Sequence, residues 1–285
     1  MKMDYYTIND FLKPQIIAEE REFLVVYKPP RMHSSPQTLS TGENLLEYVS
    51  REFIEIKDLP GRREGEAGLL NRLDFETHGL ILIARTLTGM EMLLHLQSEG
   101  KIIKEYSAVT SISDTVLPGF PAPMHGEDNV FCFLGIEVNN NGSHCNKVPP
   151  PNDFPFSIRS AFRPYGRGRK EVRPVSERGI ISAKKRKSRD FAFDHGGLYT
   201  TDILEMSREP MGRFSLRLKI SRGFRHQIRS HLAWMRMPIL NDKLYGGAQG
   251  GKGFLGLRSC SIVFTYPPSQ KEIRFSIPDL NIESL

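Results

Sequence analysis

The chain has 285 residues, and its 39 lysines and arginines outnumber its 33 aspartates and glutamates to leave a net charge of +6. Hydrophobic residues at 39% and charged residues at 25% exclude a disordered polymer and fit one large folded domain or two small ones. Three scattered cysteines, Cys132, Cys145 and Cys260, exclude a disulfide framework and a Cys-x-x-Cys zinc site, and no apolar run nears the roughly 20 residues of a membrane span, so a cytoplasmic protein is expected.

Phe23-Leu-Val-Val-Tyr-Lys28, followed by Pro29 and Pro30, predicts a strand ended by proline. The continuous apolar run from Gly79 to Ala84 predicts a buried strand. Thr88-Gly-Met-Glu91 has capping-box spacing and predicts a helix with Met90, Leu93 and Leu94 on one face, stopping near Gly100. Lys104 to Val109 reads as the next strand. Residues 110–197 are rich in Pro, Gly and Asn, with breakers at Asn139–Gly142 and Pro149–Asn152 and one strand expected at Val130–Val138. They read as a long, partly ordered insertion rather than a second domain.

Strands are predicted again at Leu198–Met206 and at 214–220, where Phe214, Leu216, Leu218 and Ile220 alternate with Ser215, Arg217 and Lys219. Past Gly223 a helix fits from Arg225 to about Met235. Ile228, Leu232 and Met235 share one of its faces, Arg225 and Arg229 share another, and Pro238 ends it. Ser261–Tyr266 and Lys271–Ile277 flank a proline-containing turn as a hairpin. Together these elements predict an α+β fold on a mixed, mainly antiparallel sheet.

The charge is concentrated. Residues 163–189 carry eleven basic and two acidic side chains, or +9, so the remainder of the chain sums to −3. The densest run includes Lys184, Lys185 and Arg186. Such a segment suits a polyanion such as RNA, although a solvated loop without a fixed partner has the same composition.

Two stretches could carry chemistry. Asp74, in Asn71-Arg-Leu-Asp-Phe-Glu-Thr-His-Gly79, lies on a loop before a buried strand, where a carboxylate suits nucleophilic or acid/base work. An Asx-turn would use the same residue. Arg222, Arg225 and Arg229 surround a helix start, an arrangement that binds phosphate or forms a solvated basic face. His226 and His231 are five apart, off the i, i+4 spacing of helical metal pairs, so no metal site is expected from them. Tyr106, in mid-strand, is by default a core aromatic.

Taken in order, Val25-Val-Tyr-Lys-Pro29, Asn71–Leu80, Lys104-Glu-Tyr106, Gly223-Phe-Arg-His-Gln-Ile-Arg-Ser-His-Leu232 and Pro238-Ile-Leu-Asn-Asp-Lys-Leu-Tyr-Gly246 resemble the RluA family of RNA pseudouridine synthases. Leu255–Cys260 and Phe264–Pro267 continue the match, which spans about 20–280 and is poor over 110–197. The resemblance implies a curved, mainly antiparallel sheet with flanking helices and an RNA-binding cleft. It also implies a catalytic domain over 20–280 between an N-terminal extension (1–19) and a tail (281–285). No S4-like domain is expected ahead of it.

By the same resemblance, Asp74 falls on the catalytic aspartate, Tyr106 on the active-site tyrosine and Arg229 on the arginine that pairs with the aspartate. Arg72 falls on the residue that helps to fill the space left by a flipped base. Arg72, Arg222, Arg225, His226 and Gln227, with Lys184, Lys185 and Arg186 of the basic run, are the expected RNA contacts. The implied reaction isomerises a uridine in structured RNA, either rRNA or tRNA, after the base leaves the stack at a cost of a few kcal/mol. Asp74 would attack C1′ or C6, and Tyr106 would move a proton. No metal or organic cofactor, membrane or protein partner is implied, and a monomer is expected.

The chain departs from the family pattern at Asn71 (usually His), His78 (usually Ser), Phe224 and Arg225 (usually Arg and Thr) and Arg258 (usually His). These departures motivate the alternative of a catalytically silent RNA-binding or RNA-chaperone protein that keeps the fold.

Overall fold

A computed structural model of the chain describes residues 11–37, 43–61, 63–113, 154–175, 197–250 and 253–278. It divides into two compact units, Met1–Ser107 with Gly251–Leu285, and Ala108–Gly250. The strand expected at Val130–Val138 lies outside the described residues, as do Lys184, Lys185 and Arg186.

In the first unit, β1 (Gln15–Glu19), β2 (Phe23–Lys28) and β3 (His78–Ala84) pair antiparallel, with Phe23 opposite Ala84 and Lys28 opposite Gly79. Every residue of β2 and β3 is buried, as their unbroken apolar runs require. β3 then runs parallel to the start of β9 (Leu257–Tyr266), whose remaining length pairs with β10 (Lys271–Ser276). The first residues of β4 (Ile103–Ser111) flank β9. Gly79 is needed where β3 meets β9. Its φ is +120°, and a Cβ there would stand 2.1 Å from the Ser259 carbonyl oxygen.

Phe23, Val25, Tyr27, Leu80 and Leu82 pack with Met90, Leu93 and Leu96 of α2 (Leu87–Ser98) and with Ile262 and Phe264. Burying each such side chain contributes about 1.5–3 kcal/mol. The helix is capped by Thr86, whose Oγ1 accepts from the Gly89 amide at 3.0 Å, so the cap lies two residues before the Thr88 that sequence spacing favours. A short helix, α1 (Leu45–Val49), is capped by Asn44.

In the second unit, β5 (Phe156–Tyr165), β6 (Glu171–Val175), β7 (Tyr199–Glu209) and β8 (Arg213–Ile220) pair antiparallel in the order β6-β5-β7-β8. The end of β4 lies by β8, with Thr110 donating to the Phe214 carbonyl. Helix α3 (Gln227–Trp234) packs on β6 and β7. It starts later than Arg225 because His226 sits in the left-handed region at φ 55°.

The expected α+β class with a mostly antiparallel sheet is therefore present. Strand β1 lies within the stretch expected as an N-terminal extension, and β5 and β6 lie within the stretch expected as an insertion. Their period-2 signal, with Ile158, Ser160 and Phe162 buried, is interrupted in sequence by the proline, glycines and arginines of 163–170. Among the described residues no helix is long and apolar enough to cross a membrane.

Candidate active site

In the first unit, Asp74 opens a turn closed by the Thr77 amide donating to its carbonyl at 3.1 Å. The residues on either side of it are fastened. The Ser34 hydroxyl donates to the Leu73 carbonyl at 3.0 Å and accepts from the Leu73 amide at 3.1 Å. The Lys28 ammonium donates to the carbonyls of Pro29 (2.9 Å), Met32 (2.8 Å) and Phe75 (3.3 Å). Anchoring both neighbours fixes the backbone that carries the Asp74 carboxylate.

Lys28 is fully buried, and burial lowers its pKa from 10.5 to about 7, an effect that the charges of Asp74 and Glu76 partly offset. A lysine at the end of an all-buried strand was the sequence signal for it. Ser34 carried no such signal.

Tyr106 is buried on β4 in the same unit. Burial pushes its phenol well above the usual range; a hydrogen bond with Ser259 opposes the shift and the charge of Asp74 adds to it. The phenol therefore stays protonated at neutral pH and keeps a proton to donate. Asp74, Lys28 and Tyr106 thus form one electrostatic group. Arg72 makes an ion pair with the largely buried Glu66 at 2.6 Å, so freeing its guanidinium for another partner requires breaking that pair.

His78 is buried with neither ring nitrogen hydrogen-bonded among the described residues. Burial, then the charges of Arg258 and Lys28, lower its pKa from 6.5 to about 3. In the second unit His231 is also lowered to about 3 by burial, although its nitrogens meet the Ser160 and Thr201 hydroxyls at 2.9 Å each. Both rings are neutral when folded, while the unfolded chain binds protons on them below pH 6.5 or so. Stability should therefore fall as pH drops from about 6.5 toward 3, by up to ~1.4 kcal/mol per pH unit per histidine. Thermal melts between roughly pH 7.5 and 5 check this, and His78→Ser should reduce the slope. A flat profile would show that the rings do not titrate with unfolding.

In the second unit, Arg229 on α3 is buried and bidentate to buried Asp242, with Nε–Oδ2 at 2.7 Å and Nη2–Oδ1 at 2.8 Å. Asp242 Oδ1 also accepts from the amides of Leu244 (3.0 Å) and Tyr245 (3.1 Å). The Arg229 guanidinium lies 5.4 Å from the centre of the Tyr245 ring, and His226 Nδ1 meets the Tyr245 hydroxyl at 3.1 Å. Asp242 stood inside a motif of the resemblance but had no role assigned from sequence.

The other expected contacts differ in what holds them. The Gln227 amide is engaged internally, accepting from the Phe224 amide and donating to the Thr200 carbonyl and Thr201 hydroxyl. Arg225 donates to the carbonyls of Arg169 and Glu171, and Arg222 lies over Tyr199. Phe224, where the family usually has Arg, stacks on Phe162 at 4.9 Å and 5°. Asp74 and Tyr106 belong to the first unit and Arg229 to the second. Among the described residues no group of three His, Cys, Asp or Glu side chains could hold a metal ion.

Residues 22–234 match the family model described as RNA pseudouridylate synthase. The chain is 22% identical over 232 residues to ribosomal large subunit pseudouridine synthase D of Yersinia pestis, covering 81% of this chain and 52% of that one. It is 25% identical over 274 residues to an uncharacterised RNA pseudouridine synthase of Helicobacter pylori, covering 94% and 67%. The chain thus spans about half to two thirds of the length of these curated relatives. In fold it is similar to human RNA pseudouridylate synthase domain containing 1, with a TM-score of 0.57 at 15% identity, covering 97% of this chain and 86% of that one.

Proposed function

The chain belongs to the RNA pseudouridylate synthase family, and from that membership we propose that it isomerises specific uridines in structured RNA to pseudouridine, with Asp74 as the nucleophile. The observation that carries this reading is the Asp74 loop, fastened by Ser34 and Lys28 and electrostatically coupled to a protonated Tyr106. The target uridine leaves the stack and enters the site, with Arg72 exchanging Glu66 for the vacated space. Asp74 attacks C1′ or C6, the N1–C1′ glycosidic bond breaks, the base turns, a C5–C1′ bond forms, and the bond to Asp74 breaks to return its carboxylate while N1 takes up a proton. The hydrogen on C5 is then lost as a proton. Tyr106 serves proton transfer, and Arg229, set by Asp242, supplies the active-site guanidinium.

The RNA is held by Arg72, Arg222 and His226, together with the basic run that includes Lys184, Lys185 and Arg186, while Arg225 and Gln227, whose side chains bond within the protein, hold the shape of the segment around them. The relative named for the ribosomal large subunit makes rRNA the first substrate to test, with tRNA the second. No cofactor or protein partner enters this scheme, and the protein acts as a cytoplasmic monomer. Pseudouridine maps of rRNA and tRNA from cells with and without the gene test the reading. Loss of one or a few sites, restored by the intact gene, is expected, and identical maps would count against it.

Lys28→Met is expected to remove the hold on the Phe75 carbonyl and lower turnover at saturating RNA by about 10²-fold, the scale at which small misplacements act. Single-turnover rates check this. RNA affinity should stay close to that of the wild type, and an unchanged rate would show that Lys28 does not position Asp74.

A further inference from the structure

The β5–β6 hairpin carries an unusual tip. Between Tyr165 and Glu171 the chain reads Gly-Arg-Gly-Arg-Lys, with Gly166, Gly168 and Arg169 at φ of 77°, 70° and 54°. Arg167, Arg169 and Lys170 are exposed, and among the described residues none of their side chains is paired with a carboxylate. Three like charges within four residues repel one another, which favours a loose tip.

The tip is nonetheless fastened to the segment that carries Arg229. Arg225 Nη2 donates to the Arg169 carbonyl at 2.7 Å and the Glu171 carbonyl at 3.2 Å. Next along β6, the Ser230 hydroxyl donates to the Val172 carbonyl at 2.9 Å. The Val172 amide donates to the Tyr245 hydroxyl at 2.9 Å. Behind the hairpin, Phe162 of β5 stacks on Phe224. Four of the residues in these links, Phe224, Arg225, Ser230 and Tyr245, lie within α3, just before it or just after Asp242.

We propose that Arg167, Arg169 and Lys170 form a preset phosphate-binding surface for the RNA backbone, and that Arg225 is the positioning residue that fixes it to the Arg229 helix. This rests on the reading that the chain acts on RNA. Arg225 turns its Nη2 donors to two backbone carbonyls, and in this proposal its role is to fix the tip's shape. Cations held in advance bind a polyanion without the ordering cost that a loose turn would carry. Because the tip and Arg229 share one packed unit, phosphates gripped at the tip set the register of the RNA on α3.

The test is fluorescence anisotropy of a labelled RNA stem-loop, about 12 base pairs with a uridine-rich loop, titrated with the full chain across about 50–300 mM KCl. The triple variant Arg167→Ser, Arg169→Ser, Lys170→Ser should lower the magnitude of the log K against log salt slope by about two to three and weaken binding tenfold or more at ~0.1 M salt. Replacing Arg167 and Arg169 by lysine should keep the slope. Arg225→Ala should keep the slope, since no phosphate contact is lost, while binding weakens about three- to tenfold.

An unchanged slope in the triple variant overturns the tip as a phosphate site. A slope reduced by about one in Arg225→Ala makes Arg225 a direct contact and overturns its positioning role. A wild-type chain that binds no RNA removes the functional reading itself, and the proposal with it. Wild-type binding with an unaffected triple variant defeats the proposal alone.

Discussion

Asp74→Asn is expected to lower the conversion of uridine to pseudouridine by at least about three orders of magnitude while leaving RNA affinity and melting temperature near those of the wild type. The substitution changes one atom, so the turn through Asp74 and the anchors at Leu73 and Phe75 persist. What disappears is the ionised oxygen. A neutral amide neither attacks C1′ or C6 nor stabilises positive charge that develops on the ribose. Release of tritium from RNA carrying tritiated C5 of uridine, followed in a single turnover, reads the chemistry directly. Full activity in the variant, or full restoration of the pseudouridine map by it in deleted cells, would favour the silent RNA-binding alternative.

Asp242→Ala should be the most damaging single change to stability, costing about 3–5 kcal/mol. It strips the bidentate partner from a buried guanidinium and leaves the Leu244 and Tyr245 amides without their acceptor. For a chain of this size each kcal/mol moves the melting temperature by roughly 2–4 °C, so a drop of about 10 °C is expected by calorimetry. The double variant Arg229→Met, Asp242→Leu removes both charges together. It should recover the part of the lost stability that comes from the orphaned charge, while the Leu244 and Tyr245 amides still lack their acceptor. Conversion of uridine should be lost in it, because the guanidinium proposed for the active site is gone. A double variant no more stable than Asp242→Ala would show that the packing around Asp242, not the ion pair, sets the cost.

How much was readable in the chain depends on the range of the interactions. Strands β2, β3, β4, β8 and β9, the β9–β10 hairpin and helices α2 and α3 follow from apolar runs, alternation or 3.6-residue spacing, which local sequence carries. The errors at their ends have local causes too. The cap of α2 shifts to Thr86, and the left-handed His226 delays α3. The β5–β6 hairpin was not anticipated because its strands join through a glycine- and arginine-rich turn that reads as a solvated loop. What holds the hairpin is contributed by residues some 50 or more positions away, with Arg225 56 residues from Arg169 and Ser230 58 from Val172.

The site divides in the same way. The order of motifs identified the family and singled out Asp74, Tyr106, Arg229 and Arg72 as the candidates to test, because residue type and order are properties of the chain itself. The partition of charge into a basic segment and an acidic remainder was also determined by sequence alone. Only the tertiary structure decided the partners: Asp242 for Arg229, Glu66 for Arg72, and carbonyls of the hairpin tip for Arg225. It alone revealed Lys28 and Ser34 as the anchors of the Asp74 loop, 47 and 39 residues from the carbonyls they hold. The physical reason is that a hydrogen bond or buried ion pair needs atoms about 3 Å apart in a set direction, and for distant residues that is a property of the packed backbone.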